Sequence, residues 1–494
     1  MSQEQPKATH RSRPTGEAFN AFMRQGWAPN DEVLPKTAPV APFAAQRREA
    51  VSAAFGGERL IVPAGGLKVR SNDTDYVFRP HSAFAHLSGL GADREPDAVL
   101  VLEPTGDEGH EAVLYIEPPA GRMSNEFFSD SRMGEFWIGS RPSLAAIAAE
   151  LDVTTRPLSE FADAAAKDVP GVSVRVVRDA DAEVSELVDR VRDQGGAPDD
   201  ERDAELARML STLRLVKDDW EVEQMVLAVE ATATAFDAVV AALPKAADRE
   251  RGERWIEGVF GLHARHAGNG VGYDSICAAG EHATTLHWIR NTGDIHEGEL
   301  LLLDAGVETD ALYTADVTRT LPVNGIFSPA QRKVYEAVLD AQDAGLAAAV
   351  PGNTFKDVHA AAIRVIAQRL HQWGMLPDGV SVEDTLDPEH GQFHRRWMVH
   401  GTSHHLGIDV HDCALALRED YMDGELRPGM VITVEPGLYF KTDDELAPED
   451  LRGIGVRIED DVLITEEGNR NLSAMLPRTA DSVEQWIADQ GNRN

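Results

Sequence analysis

Acidic residues set inside apolar, strand-like segments are the feature that most restricts what this chain can become. Asp304 follows four leucines in LLLLDAG, Asp316 sits in TADVTRT, Glu435 closes MVITVEPG and Glu459 lies in GVRIEDD. A carboxylate buried alone costs several kcal/mol, so each needs a cation, a hydrogen-bond network or a metal beside it. A histidine, His404 in HGTSHHLG, falls between them in the chain. Five such donors in one half of the protein point to a metal centre assembled from separate strands.

The local context of each donor refines this. ELLLLDAGVETDALYTADVTRTLPV reads as two strands joined by a turn, with Asp304 near the end of the first and Asp316 inside the second. Opposed side chains on paired strands lie about 5 Å apart, and like charges that close demand a cation. Asp310, by contrast, fits an ordinary surface turn. HGTSHHLGIDVHD supplies His400, His404, His405 and His411. Alternation along an extended segment sends His404 and His405 to opposite faces, and His405 is assigned to the face away from the site. One histidine is expected to bind metal as a neutral imidazole, leaving others as proton carriers or hydrogen-bond donors. In MVITVEPGLYF the Pro436-Gly437 pair turns the backbone away while the Glu435 carboxylate stays at the strand end. Arg457 and Glu459, two apart on one strand, share a face, so the arginine can orient an acidic neighbour. Asp460 and Asp461 read as surface acids. Four carboxylates and one imidazole make a hard, oxygen-rich site suited to manganese, with zinc or cobalt able to substitute. The set exceeds what one catalytic ion needs. Two ions about 3.5 Å apart, with bridging carboxylates and a bridging hydroxide as nucleophile, would use all of it.

The chain of 494 residues is long enough for two domains. Its net charge of -36 repels phosphate backbones and anionic membranes, so neither nucleic acid nor a membrane is an expected partner. Cys277 and Cys413 form no CxxC pair and no disulfide framework, which suits a reducing compartment. The start MSQEQPKATHRSRP carries no apolar leader, and no run approaches the roughly 18 to 20 apolar residues that span a bilayer. The expectation is a soluble, cytoplasmic protein.

Residues 1–37 read as an N-terminal arm, disordered over about the first 15, with one apolar patch, AFNAFMRQGW. RREAVSAAF and LAAIAAELD predict helices, and RLIVPAG, AVLVLEP, EAVLYIEP and VSVRVVRD predict strands, an alternation that makes 38–200 an α/β domain. RDQGGAPDDERDAE, over 192–205, predicts a turn or short linker. The second domain, 201–494, opens on a long helical stretch and holds further helices at 328–350 and 354–373, the latter capped at Asn353/Thr354.

The order Asp, Asp, His, Glu, Glu, in the contexts DAG, DVTRT, HGTSHHLG, VEPG and RIED, resembles the pita-bread dinuclear metallopeptidases: methionine aminopeptidase, prolidase and aminopeptidase P. VEPGLYF followed by LRGIGVRIEDDVLITEEGNRNLS is most similar to the aminopeptidase P, or Xaa-Pro aminopeptidase, branch. TDYVFRPHSAFAHLSGL and FWIGSRPS are similar to that branch's N-terminal domain, so the likeness covers about residues 38 to 485. It implies an α/β (α+β) fold: a creatinase/prolidase-like α/β domain followed by a pita-bread catalytic domain. It also implies a hydrolase that releases the N-terminal residue from peptides with proline second, by a hydroxide bridging two divalent ions, most often Mn2+. Prolidase, acting on Xaa-Pro dipeptides with the same ions, is the alternative. By the same resemblance Asp304 is a terminal ligand of one ion, His404 and Glu435 hold the other, and Asp316 and Glu459 bridge. Glu435 further steers the attacking water or takes its proton. His287, in TTLHWIRN, and His411 contact substrate and steady the tetrahedral intermediate, His400 lines the pocket for proline, and Tyr439 and Arg457 stand beside Glu435 and Glu459. Relatives form homo-dimers or homo-tetramers. One spacing departs: Asp304 and Asp316 are 12 residues apart where the family usually shows 11. An extra residue within a strand would turn Asp316 to the wrong face, so the turn around Glu308 to Ala311 is expected to absorb it.

Overall fold

The computed structural model describes residues 16–491 apart from 29–31, 73, 107–108, 170 and 194–199. The first 15 residues, expected to be disordered, lie outside the described residues. The chain divides into two compact units, one of Met1–Pro42, Ser52–Phe78 and Glu95–Pro198, the other of Phe43–Val51, Arg79–Arg94 and Asp199–Asn494.

The first unit is built on a five-stranded sheet in the order Thr154–Pro157, His110–Ile116, Val99–Pro104, Arg59–Pro63, Val174–Val176. Its three central strands are antiparallel and the two outer ones join in parallel. Alternate β-branched residues of these strands, Ile61, Val99, Val101, Val113 and Val176, bury one face against Phe161 and Val188. The outer strand Thr154–Pro157 is not among the sequence expectations. Four residues with two exposed side chains carry little apolar signal. The helix Glu17–Arg24 begins one residue before the expected apolar patch of the arm and takes in most of it, and Trp27 after it packs edge-on against Phe127 at 5.3 Å.

In the second unit, part of the expected linker over 192–205 is helix: Asp200–Leu213 begins inside it. The helix Asp219–Ala247 then starts at a reciprocal cap, Asp218 accepting the Glu221 N–H and Glu221 accepting the Asp218 N–H, each at 3.0 Å. This helix is long and apolar enough to cross a membrane, which corrects the expectation of no such run. Its Met225, Val229, Phe236, Val239 and Leu243 are fully buried within protein cores, the behaviour of a core helix. Two more helices, Pro329–Ala348 and Phe355–Gln372, start at Ser328 and Thr354 close to where the capping signals place them. They pack together. Against Pro329–Ala348 lie the three-stranded antiparallel sheet Val431–Val434/Asp460–Thr465/Gly468–Asn471 and the pair Gly437–Tyr439/Gly455–Arg457, while a second three-stranded antiparallel sheet, Val317–Pro322/Leu300–Ala305/Ile276–Ala279, meets the helix Gly252–Ala267 through Ile276–Ala279.

Candidate metal centre

Two hairpins deliver the carboxylates. In the first, Leu300 pairs with Pro322 and every later pair follows in step to Asp304 with Thr318 and Ala305 with Val317. The step continues past the regular ladder, with Ala315 N–H donating to Val307 C=O at 3.2 Å and Glu308 bridging Thr314. Asp316 therefore stands opposite Gly306, on the same face as Asp304. The interval is taken up wholly in the loop Thr309–Tyr313, closed by Thr309 N–H to Tyr313 C=O at 2.9 Å, with Leu312 in the left-handed region at φ 73°. A Cβ on Gly306 would lie 1.7 Å from the Ala315 carbonyl oxygen, which explains the glycine of DAG.

The second hairpin is interrupted on both strands at the same place. Val434 pairs with Asp460 and Gly437 with Arg457, so the register is identical on either side of the gap and puts Glu435 opposite Glu459. Neither residue pairs its N–H across the gap. Glu435 N–H donates to Thr402 C=O at 2.8 Å, and Glu459 N–H donates to Thr318 C=O at 3.1 Å. Each acidic residue is thereby tied to another segment of the site: Glu435 to the loop of His404, and Glu459 to the strand beyond Asp316.

His404 is held by mutual hydrogen bonds with Thr433. Its Nδ1–H donates to the His405 carbonyl at 3.2 Å, which leaves Nε2 facing Asp316 Oδ2 at 3.3 Å and Glu435 Oε1 at 3.7 Å. Ligand atoms of Asp316, His404 and Glu459 lie within 4.8 Å of one another. Arg457, expected to orient an acidic neighbour, reaches Asp304 directly, Nη2 to Oδ2 at 2.5 Å, and reaches Glu459 through Thr318, whose hydroxyl donates to Glu459 Oε2 at 2.7 Å.

Asp304 and Glu459 are buried and His404 and Glu435 largely so, and burial acts on the proton affinity of all four. It lifts Asp304 above the usual carboxylate range, Glu435 to about 7, and Glu459 well above 4.5, the last reinforced by Asp316, Glu435 and Asp304. Burial opposes a charge on His404, but the hydrogen bond to Asp316 and the charge of Glu435 outweigh it and raise His404 to about 9. Glu459 Oε1 is buried with no hydrogen-bond partner among the described residues. Four convergent carboxylates, one left with an unpartnered oxygen, and an imidazole nitrogen aimed among them fit divalent cations.

A cavity of about 550 Å³ opens onto this cluster, lined by Asp304, Asp316, His404, Glu435 and Glu459, by Arg457, His287, His400 and His411, and by the apolar Ile276, Leu286, Ile289 and Val410. The His411 ring meets that of His404 edge-on at 4.5 Å, and burial lowers its pKa. His400 donates from Nδ1 to the Gly401 carbonyl at 2.6 Å and accepts at Nε2 from the Tyr439 hydroxyl at 2.8 Å; burial, with Arg457 nearby, takes it down to about 3. Tyr439 is not part of the cavity wall. It stands behind it, accepting from Arg457 Nη1 at 3.0 Å and passing its own proton toward His400. His405 points away, stacked on Phe355 at 5.0 Å.

Two features depart from the sequence expectation or were missed by it. Asp460 and Asp461 are not surface acids; both are fully buried. Arg319 pairs with Asp460 at 2.7 Å, and Asp461 Oδ2 accepts the Asp316 N–H at 3.1 Å. Tyr273 was not singled out, yet its hydroxyl lies 2.7 Å from Asp304 Oδ1 and 2.5 Å from Asp316 Oδ1. The only sequence signal was a phenol just ahead of a buried strand, where a hydroxyl needs a polar partner.

Paired acidic hairpins around a histidine, at the foot of an open cavity, define a metallopeptidase centre. Residues 223–466 match the model of metallopeptidase family M24, and residues 44–177 match that of the aminopeptidase P N-terminal domain. The chain belongs to the Xaa-Pro aminopeptidases of that family: it is a metallopeptidase with an N-terminal aminopeptidase P domain and a C-terminal pita-bread domain. Xaa-Pro aminopeptidase 1 of Streptomyces coelicolor is 51% identical over 469 residues, 94% of this chain and 91% of the relative. Xaa-Pro aminopeptidase 2 of the same organism is 49% identical over 471 residues, 95% and 96% of the two chains. Among solved structures, aminopeptidase P from Escherichia coli with the inhibitor Pro-Leu superposes with a TM-score of 0.78 at 30% identity, covering 92% of this chain and 100% of that one.

Proposed function

We propose that this enzyme hydrolyses the bond between an N-terminal residue and a proline in second position, at a centre of two divalent ions, with Mn2+ the ion used. The observation that carries this is the double register: Asp304 and Asp316 share one face, Glu435 and Glu459 oppose each other, and His404 enters between them. When bound, the ions would supply Lewis-acid polarisation of the scissile carbonyl and acidify the attacking water. Asp304, Asp316, His404, Glu435 and Glu459 would hold them. Glu435, 3.6 Å from His400, is the group suited to take a proton from the attacking water and pass it on. His411 and His287 face the cavity and can donate N–H hydrogen bonds to the oxyanion. His400, fixed by Tyr439 and Gly401, stays neutral and offers a ring against which proline can pack. Leu286, Ile289 and Val410 give the wall an apolar character suited to side chains of the peptide.

The reading extends to a cytoplasmic setting, supported by two buried free thiols, Cys277 and Cys413. It also includes a homo-dimer or homo-tetramer, which rests on resemblance alone. The test is turnover by the Mn2+-loaded protein of Gly-Pro-Xaa tripeptides beside Gly-Ala-Xaa and the dipeptide Gly-Pro. Cleavage confined to Gly-Pro would establish the prolidase alternative, and cleavage of Gly-Ala-Xaa at a similar rate would end the claim of proline recognition.

A further inference from the structure

His287 faces the cavity but makes no hydrogen bond with any described residue, so its orientation is inherited from the segment that carries it. That segment runs from Ala279 to Gly293 and also contributes Leu286 and Ile289 to the wall. A single, fully buried carboxylate gathers it. Glu253 Oε1 accepts the Ala279 N–H at 2.9 Å and His282 Nδ1–H at 2.8 Å, and Oε2 accepts the Trp288 indole N–H at 2.9 Å and the Gly293 N–H at 2.6 Å. Trp288 is the immediate neighbour of His287, and its ring stacks on His282 at 3.9 Å.

The arrangement is tightly built. A Cβ on Gly293 would lie 2.7 Å from the His282 ring and 2.9 Å from the Glu253 carboxyl carbon, so only glycine permits the approach. Asn291 clamps the same segment to the strand beside it, accepting the Cys277 N–H at 3.0 Å and donating to the Ser275 carbonyl at 2.8 Å. Glu253 itself sits in the first turn of the helix Gly252–Ala267, where the helix dipole favours its negative charge. None of its four donors is a metal ligand, and Glu253 does not line the cavity.

We infer that Glu253 is a positioning residue for the reaction: by gripping the segment before and after His287, and Trp288 beside it, it fixes that histidine against the substrate cavity. The inference rests on the part given to His287 in the proposed function. A glutamine at 253 would offer one acceptor oxygen and turn an amide NH2 toward two N–H donors, so the segment must shift. A displacement of about 1 Å at such a distance from the chemistry can cost about 100-fold in rate.

The experiment is a double-mutant cycle on the Mn2+-loaded enzyme with an Xaa-Pro tripeptide: wild type, Glu253→Gln, His287→Ala and the double variant, with metal content measured for each. The expected result is a loss in kcat/KM of about 10- to 100-fold for Glu253→Gln with full metal content, shrinking to less than about 3-fold when His287 is already alanine. Trp288→Phe, which removes one donor and keeps a ring, runs the same cycle should Glu253→Gln fail to fold. It is expected to give a smaller loss that also disappears in the His287→Ala background. An equal loss in both backgrounds, or a loss of metal, would reduce Glu253 to a structural role and overturn the inference. Unchanged kcat/KM in His287→Ala alone would instead overturn the part given to His287, and the inference with it.

Discussion

Tyr273→Phe isolates one hydrogen atom at the heart of the site. The phenol has a single proton but lies at hydrogen-bonding distance from two carboxylate oxygens, 2.7 Å from Asp304 and 2.5 Å from Asp316. Burial, with the charges of Asp304 and Asp316, pushes the phenol pKa well above 10, so it remains a donor throughout the working pH range. It can donate to one carboxylate only. With metal bound the two carboxylates stay charged and the phenol orients one of them as a donor, an interaction worth about 2 kcal/mol. Other supports stay in place: Arg457 on Asp304, and Asp461 on the Asp316 N–H. The phenol also serves the empty site, so the loss is at most one bond, or up to about 30-fold in metal affinity. Competition with a chromophoric chelator measures this directly, with Tm as the check on folding, and kcat at saturating Mn2+ should be largely retained. An affinity within about 2-fold of wild type would show that the phenol plays no part in holding the ligands, and a loss beyond about 1000-fold would show that it is a ligand itself.

Three further outcomes follow from the same geometry. Asp304→Ala or Glu435→Ala should abolish hydrolysis while circular dichroism stays native; near-normal turnover with Mn2+ in either would show the ligand set to be wrong. His411→Ala should cost about 100- to 1000-fold in kcat with metal still bound, the range for an oxyanion donor, and loss of metal instead would move His411 into the coordination set. In chelator-treated protein, Glu435 rises from 4.5 to about 7 through burial, and His404 rises from 6.5 to about 9 because Asp316 and Glu435 outweigh its burial. Both folded-state values exceed the unfolded ones, so their stabilisation is complete below 4.5 and 6.5 and is lost as pH rises through about 7 and about 9. Calorimetry should show the Tm of chelated protein falling across that range relative to the metal-loaded form; parallel profiles would contradict the assignment.

The candidate metal donors were legible because each contradicts its surroundings: an acid within LLLLDAG or MVITVEPG makes sense only with a cation to meet it. Residues that serve those donors from elsewhere in the chain were not. Asp460 and Asp461 look like solvated acids after Glu459, and nothing local announces that Arg319 arrives from the other hairpin to pair with Asp460 at 2.7 Å. Glu253 lies in a polar helix start, where an acid is expected for the sake of the helix alone, so its four donors are invisible until the chain returns at 279–293. The apolar face of Asp219–Ala247 was read correctly as packed, but its composition also meets the demands of a membrane span, and only the buried neighbours of Phe236 and Leu243 separate the two.

The interval between Asp304 and Asp316 shows why spacing in sequence is the wrong invariant for such a site. In a hairpin, two residues share a face according to their distances from the ladder, and the loop beyond the last pair contributes nothing to that parity. Here the step set by Asp304 with Thr318 holds through Glu308 with Thr314, so a residue gained within Thr309–Tyr313 leaves Asp316 opposite Gly306. The same rule governs the second hairpin, where the whole excursion from Phe440 to Ile454 separates its strands and Glu435 still meets Glu459 because the pairs on either side of the gap keep one register. The bulk of Leu312, placed at positive φ and fully buried, is where this loop meets its steric cost, away from both aspartates. A deletion confined to that loop should therefore preserve metal binding, whereas one residue removed between Asp304 and Val307 should abolish it, and chelator competition on the two variants would separate these outcomes.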